Sequence, residues 1–145
     1  MGKPEFPDAD QLLILADSGG SNGYRPRAWK HQLQEQLSDT LGVSVTVCHY
    51  PSGCSKWNPI EHRLFSQISL NWAGKPLRTL ENMLAYIRGT TTSTGLKVKA
   101  FLCKEVYEKG KKVTEEEMKR ILLARHPLCP SWNYTIVPRL KVTSP

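Results

Sequence analysis

Five consecutive apolar residues, Leu12 to Ala16, stop at Asp17. A run that is apolar at every position reads as a strand buried on both faces, as in the interior of a parallel sheet. Downstream the period changes. Pro26 can open a helix that carries Trp29, Leu33 and Leu37 at four-residue spacing and stops at Gly42, a suitable C-terminal glycine. Val43, Val45 and Val47 then alternate with Ser44, Thr46 and Cys48, the period of a second strand. A helix between two strands makes the pair a parallel βαβ unit with a right-handed crossover. Further on, Asn58 and Pro59 open a helix whose apolar stripe is Ile60, Leu64, Phe65 and Ile68. Leu80, Met83, Leu84 and Ile87 predict a helix ending at Gly89, and Leu96 to Leu102 a strand. Thr114-Glu115-Glu116-Glu117 predicts a capped helix running towards Arg125, and Trp132 to Val137 a final short strand. The class is α/β, in one domain spanning residues 1–145.

The two acids that interrupt this pattern carry the candidate chemistry. Ligands of open α/β sheets gather outside the carboxyl ends of the strands, where Asp17 and the loop Ser18-Gly19-Gly20-Ser21-Asn22-Gly23 lie. Asp17 could equally begin a turn, because Asp bonds its own backbone readily. Glu61 stands third in its helix, where an acid can cap the backbone and meet the helix dipole. It also projects within the apolar stripe, where a carboxylate needs a metal ion, a cation or a proton to compensate burial. The loop His49 to Trp57 leaves the strand edge that Asp17 shares and leads into the Glu61 helix, so the chain path can bring both acids together.

Composition narrows the partners. The chain has 145 residues with a net charge of +7, a balance that suits polyanions such as nucleic acid. Beyond Lys3 the positive residues are scattered from Arg25 to Lys141, densest between Lys97 and Arg125, and any one cluster also fits a solvated face. No apolar run is long enough to span a membrane and no secretory signal precedes Pro4, so a cytoplasmic location is expected. Cys48, Cys54, Cys103 and Cys129 are widely spaced and read as reduced thiols. A zinc module drawn from Cys48, His49, Cys54 and His62 lacks the tight pairs of structural zinc sites. A nucleotide loop drawn from Gly19, Gly20 and Gly23 lacks the Gly-Lys-Ser/Thr ending of a phosphate loop.

Five blocks, Ala16 to Gly23, Cys48-His49-Tyr50-Pro51, Lys56 to Phe65, Gly89-Thr90-Thr91-Thr92 and Trp132-Asn133-Tyr134, resemble the catalytic region of insertion-sequence transposases of the ISAzo group. These are DDE transposases with a ribonuclease-H-like fold, and the likeness runs from about Phe6 to Arg139. The resemblance implies that Asp17 is the second acid of the catalytic triad and Glu61 the third. It further implies two divalent ions, Mg²⁺ or Mn²⁺, held by three carboxylates, and cutting and joining of DNA at element ends and target. Such ions stabilise both the attacking and the leaving oxygen of a phosphodiester displacement, and hard oxygen ligands suit them.

One departure matters. The family's first acid lies on an earlier strand, and Asp8, Asp10 and Asp39 do not occupy its place. The chain is therefore expected to be a partial ribonuclease-H-like fold, a parallel βαβ core with flanking helices and the first strands missing. It should be inactive by itself, its two-metal site complete only when the missing acid is supplied. A non-catalytic remnant that binds DNA or pairs with full-length transposase subunits is the alternative. Lys56 and Arg63 beside Glu61 are candidate phosphate contacts, and Trp57 could stack on a base or simply pack in the core. Asn22 and His62 could assist the metal site, or serve as a turn former and a solvated helix residue. The sequence leaves open the element ends, the target preference and the oligomeric state.

Overall fold

The computed structural model describes residues 2–106, 110 and 112–139, so Lys109, Lys111 and Lys141 of the basic tally lie outside the described residues. Two compact units form. The first comprises residues 1–54 with 109–145, and the second residues 55–108.

The first unit is a four-stranded sheet in the order β1-β2-β4-β3, with β1 Gln11–Asp17, β2 Ser44–Tyr50, β3 Leu123–Arg125 and β4 Asn133–Ile136. As expected, β1 and β2 run parallel, paired from Gln11 with Ser44 to Asp17 with Tyr50. Between them runs the helix α1, which is α-helical over Arg27–Gln32, π-helical over Leu33–Ser38 and α-helical again over Asp39–Leu41. It ends where Gly42 turns to φ 66°, a left-handed conformation that glycine adopts without strain. β4 lies antiparallel to both β2 and β3 and so enters the sheet between them.

The valine alternation of β2 explains the core. Val45 and Val47 are fully buried, and with Leu33, Val43, Ile121, Tyr134 and Ile136 they form one cluster against which Ile14, Trp29 and Leu37 pack. One face of the sheet therefore holds α1. On the other face, Thr46 of β2 and Thr135 of β4 share a hydroxyl hydrogen bond of 2.9 Å.

β1 departs from the double burial expected of it. It is the edge strand, and Leu12, Leu13 and Leu15 are 38%, 60% and 40% exposed, whereas Ala16 is buried. An apolar run signals burial wherever partners are available, and among the described residues β1 pairs on one side only. The unpaired backbone of such an edge invites a further strand.

A buried polar node closes the unit at the far end of α1. The amide of Gln34, fully buried, donates to Asp39 Oδ1 (2.8 Å) and to the carbonyl of Val137 (3.0 Å), and accepts from the backbone N–H of Leu122 (2.9 Å). Arg139 donates to the Asp39 carboxylate from its backbone N–H and from Nε, both at 2.8 Å. Burial works to raise the Asp39 pKa, but the hydrogen bonds from Arg139 and Gln34 and the guanidinium charge outweigh it and hold the carboxyl below its ordinary value. A depressed carboxylate contributes stability that is present above about pH 4, the unfolded value, and is lost as pH falls through the lower folded value. Because Arg139 is 36% exposed, solvent weakens the pair. Asp39→Asn should thus cost about 1–2 kcal/mol at pH 7. In urea titrations its stability should converge with that of the unsubstituted chain as pH falls towards 3. An equal gap at both pH values would show that the carboxylate charge contributes nothing.

Two sequence expectations fail here and in the second unit. The helix expected from Thr114 to Arg125 is only α4, Glu115–Lys119, with the foreseen capping box between Thr114 and Glu117. Its continuation is taken by β3, because pairing of Leu123 with Ile136 places that segment in the sheet. In the second unit, residues 96–102 form no strand. The carbonyl of Ala100 instead accepts a 2.8 Å hydrogen bond from Arg88 Nε, and the Arg88 guanidinium lies 5.9 Å from the Phe101 ring centre.

The rest of the second unit follows the sequence. The helix α2 is π-helical over Glu61–Phe65 and α-helical over Ser66–Trp72, and α3 is Leu80–Arg88, capped by the Thr79 hydroxyl. Asn71 joins them by donating to the Tyr86 carbonyl (2.7 Å). The stripe on α2 is less buried than expected: Ile68 is buried, but Ile60 and Phe65 are 39% and 47% exposed.

Candidate functional site

Asp17 is the last residue of β1 in the first unit, and Glu61 enters α2 in the second. Strand alternation puts Asp17 on the face of β1 that carries Leu13 and Leu15, and it pairs in register with Tyr50. It is exposed between the buried residues Ala16 and Ser18. The turn reading of Asp17 finds no support, since none of the described side-chain hydrogen bonds or ion pairs involves its carboxylate.

Glu61 shows the same freedom. Its backbone N–H bonds the Asn58 carbonyl (3.0 Å), as the third residue of a capped helix should, while its carboxylate makes no described hydrogen bond or ion pair. It is half-buried, so the burial penalty foreseen for it is softened by solvent. Among the described residues, then, neither carboxylate has a hydrogen-bond or ion-pair partner, and both are hard oxygen donors. Among the described residues no three His, Cys, Asp or Glu side chains gather as a metal-binding group.

The second unit brings the proposed DNA contacts to the entrance of α2. Lys56 and Trp57 lie in a short 3₁₀ turn, Ser55–Trp57, directly before it, and Arg63 follows within it. Trp57 is 63% exposed, which removes the core-packing explanation and leaves a free aromatic face. Lys56 and Arg63 are exposed and form no described ion pair. His62 is exposed, as a solvated helix residue would be, and its Nε2 bonds the Lys56 carbonyl. That contact ties the 3₁₀ turn to the helix.

The loop after Asp17 is held by residues that sequence reasoning passed over. His49, buried on β2, bonds the Trp132 carbonyl through Nδ1 (2.8 Å) and the Asn22 carbonyl through Nε2 (3.0 Å). Both ring nitrogens face carbonyl oxygens, to one of which a neutral ring donates, and this buried setting withdraws His49 from the zinc set drawn in the sequence. Lys30, also buried, donates from Nζ to the Tyr24 carbonyl and lies 5.5 Å from the Tyr134 ring centre. Burial, and then the positive charge of Arg125, lower the Lys30 pKa. Ser18 and Ser52 link the ends of β1 and β2 through a 3.1 Å hydroxyl contact. Gly23 is required in the turn, because a Cβ there would meet the Ser18 carbonyl oxygen at 2.6 Å. Asn22 uses its side chain as a turn residue, its Oδ1 accepting from Ser21 Oγ (3.0 Å), and gives the site only its backbone. The sequence signal for this scaffold was weak, since a helical lysine and a strand histidine show no local pattern that marks them as buried.

Comparison with known proteins adds one match: a family model described as Rhodopirellula transposase DDE domain covers residues 1–138. No curated protein and no solved structure matches the chain.

Proposed function

Because this chain belongs to the Rhodopirellula transposase DDE domain family, we propose that Asp17 and Glu61 are two of the carboxylates that hold the divalent ions for DNA cleavage and strand transfer. The family is one of transposases, DNA is its substrate and divalent metal its general requirement. The finer points belong to the proposal: the ion is Mg²⁺ or Mn²⁺, the DNA is the insertion-sequence ends and the target, and full-length transposase subunits are further partners. It is also part of the proposal that a third carboxylate, supplied by none of Asp8, Asp10 and Asp39, completes the site and that this chain does not transpose DNA alone. No helix among the described residues is long and apolar enough to cross a membrane; that the protein works on DNA in the cytoplasm is part of the proposal.

The observation that carries this reading is a pair of carboxylates that have no partner among the described residues. One leaves the carboxyl end of a strand, the other stands at a helix entrance flanked by an exposed aromatic and two exposed cations. When bound, the metal ions lower the pKa of the attacking hydroxyl and neutralise charge on the phosphate oxygens. The protein's own part is to present the Asp17 and Glu61 carboxylates free of competing bonds among the described residues. Lys56 and Arg63 would meet backbone phosphates, and Trp57 would offer its face to a base.

A strand-transfer assay tests the proposal. Labelled element ends and Mg²⁺ should give no joined product with this chain alone, and product when a segment encoded upstream, bearing an acid on a β-strand, is added. Product from the chain alone would refute the missing-acid account. Absence of product in both cases, with the upstream segment shown to bind the chain, would favour the non-catalytic remnant.

A further inference from the structure

A cavity of about 310 Å³ opens beside the loop that follows Asp17, lined by Ser18, Gly19, Gly20, Tyr24, Arg25 and Ser52. We propose that it seats a backbone phosphodiester of a DNA strand, gripped by Arg25 and by the hydroxyl pair of Ser18 and Ser52. That the ligand is DNA rests on the transposase reading above.

Charge and mounting both support the site. Arg25 Nε donates to the Tyr24 hydroxyl (2.9 Å) and its guanidinium stacks 5.2 Å from the Tyr24 ring centre. Among the described residues no carboxylate pairs with Arg25, and no acidic side chain lines the cavity. Its two terminal nitrogens, with four N–H donors, are left for an anion. The mount is rigid. Lys30 bonds the Tyr24 backbone from below, and the Tyr24 ring packs against Trp132 (5.6 Å between centres) and His49 (6.3 Å). An exposed arginine held this way loses less freedom on binding than one on a free stem.

The hydroxyls supply the second contact. Ser18 is nine-tenths buried, and of the two hydroxyls in the Ser18–Ser52 pair only one donates within it. The other keeps a donor for a phosphate oxygen. A Cβ added at Gly19 or Gly20 would meet nothing within 4 Å, so the space beside this part of the loop is open. The Arg25 guanidinium and the remaining hydroxyl donor line one hollow and match the oxygens of a phosphate. A diester with flanking sugars also matches its size.

The test uses the whole chain and two probes, the dinucleotide thymidylyl-thymidine and inorganic phosphate, followed through the Arg25 ¹⁵Nε signal and the amides of Ser18 and Gly19. The dinucleotide should shift all three, Arg25→Gln should abolish the amide shifts, and Arg25→Lys should restore part of them. In duplex binding, Arg25→Gln should reduce the slope of log K against log salt by about 1. No shift with either probe, dinucleotide shifts that survive in Arg25→Gln, or a response to inorganic phosphate alone would each overturn the diester assignment. If the dinucleotide binds as described while long DNA does not, this site stands and the transposase reading fails.

Discussion

Asp17→Asn should reduce strand transfer in the complemented assay by about 10³-fold or more, and leave folding intact. Metal ligation of the reacting phosphate is worth several kcal/mol of transition-state stabilisation, and each 1.36 kcal/mol is tenfold in rate. Asparagine keeps the size of aspartate but not its charge. Because the Asp17 side chain is exposed and makes no described bond, the substitution should change stability by no more than about 0.5 kcal/mol. Glu61→Gln should behave alike. Activity within tenfold of the unsubstituted chain, at equal folding, would remove Asp17 from the metal site.

Tyr134→Ala should unfold the first unit under mild conditions. The ring is fully buried on β4, packs 6.0 Å from His49 between centres and lies under the Lys30 ammonium. Truncating a buried aromatic costs about 3–5 kcal/mol, a large share of the 5–15 kcal/mol that typically holds a domain together. The urea midpoint should fall accordingly. Tyr134→Phe separates the hydroxyl from the ring. Burial pushes the Tyr134 pKa up to about 12, against the positive charge of Arg125, and among the described residues the hydroxyl has no hydrogen-bond partner. A raised folded value means that the neutral hydroxyl contributes stability below pH 10, the unfolded value, which is lost as pH rises to about 12. The phenylalanine variant should lose this alkaline step while retaining most of the stability at pH 7. An unchanged alkaline profile would assign the step to other groups.

What the sequence made legible was local. The alternation of Val43, Val45 and Val47 marks a strand because period two is fixed by the pleat. Thr114 and Gly42 mark helix ends because their side chain or lack of one answers a backbone need at that point. Asp17 and Glu61 stood out for the same reason, each being polar where the surrounding pattern is apolar. Misreadings came from longer-range effects. The run Leu12 to Ala16 looks the same whether a strand is central or at an edge, because burial depends on neighbours the run does not name. Residues 114–125 have helical spacing, yet pairing of β3 with β4 overrides it after Lys119. The node of Gln34, Asp39 and Arg139 joins residues about a hundred positions apart. Nor does the placement of β4 between β2 and β3 follow from any local signal. Lys30 and His49 were missed because both are polar residues whose burial is set by what folds over them.

The paramagnetic effect of Mn²⁺ on the amide spectrum of the isotope-labelled chain tests the central claim most directly. Trace Mn²⁺ should broaden the signals of residues 16–20 and of residues 60–63 together, and Asp17→Asn should abolish the broadening in both segments. Broadening confined to one segment, or persisting around Glu61 after Asp17 is replaced, would show that the two carboxylates do not share an ion.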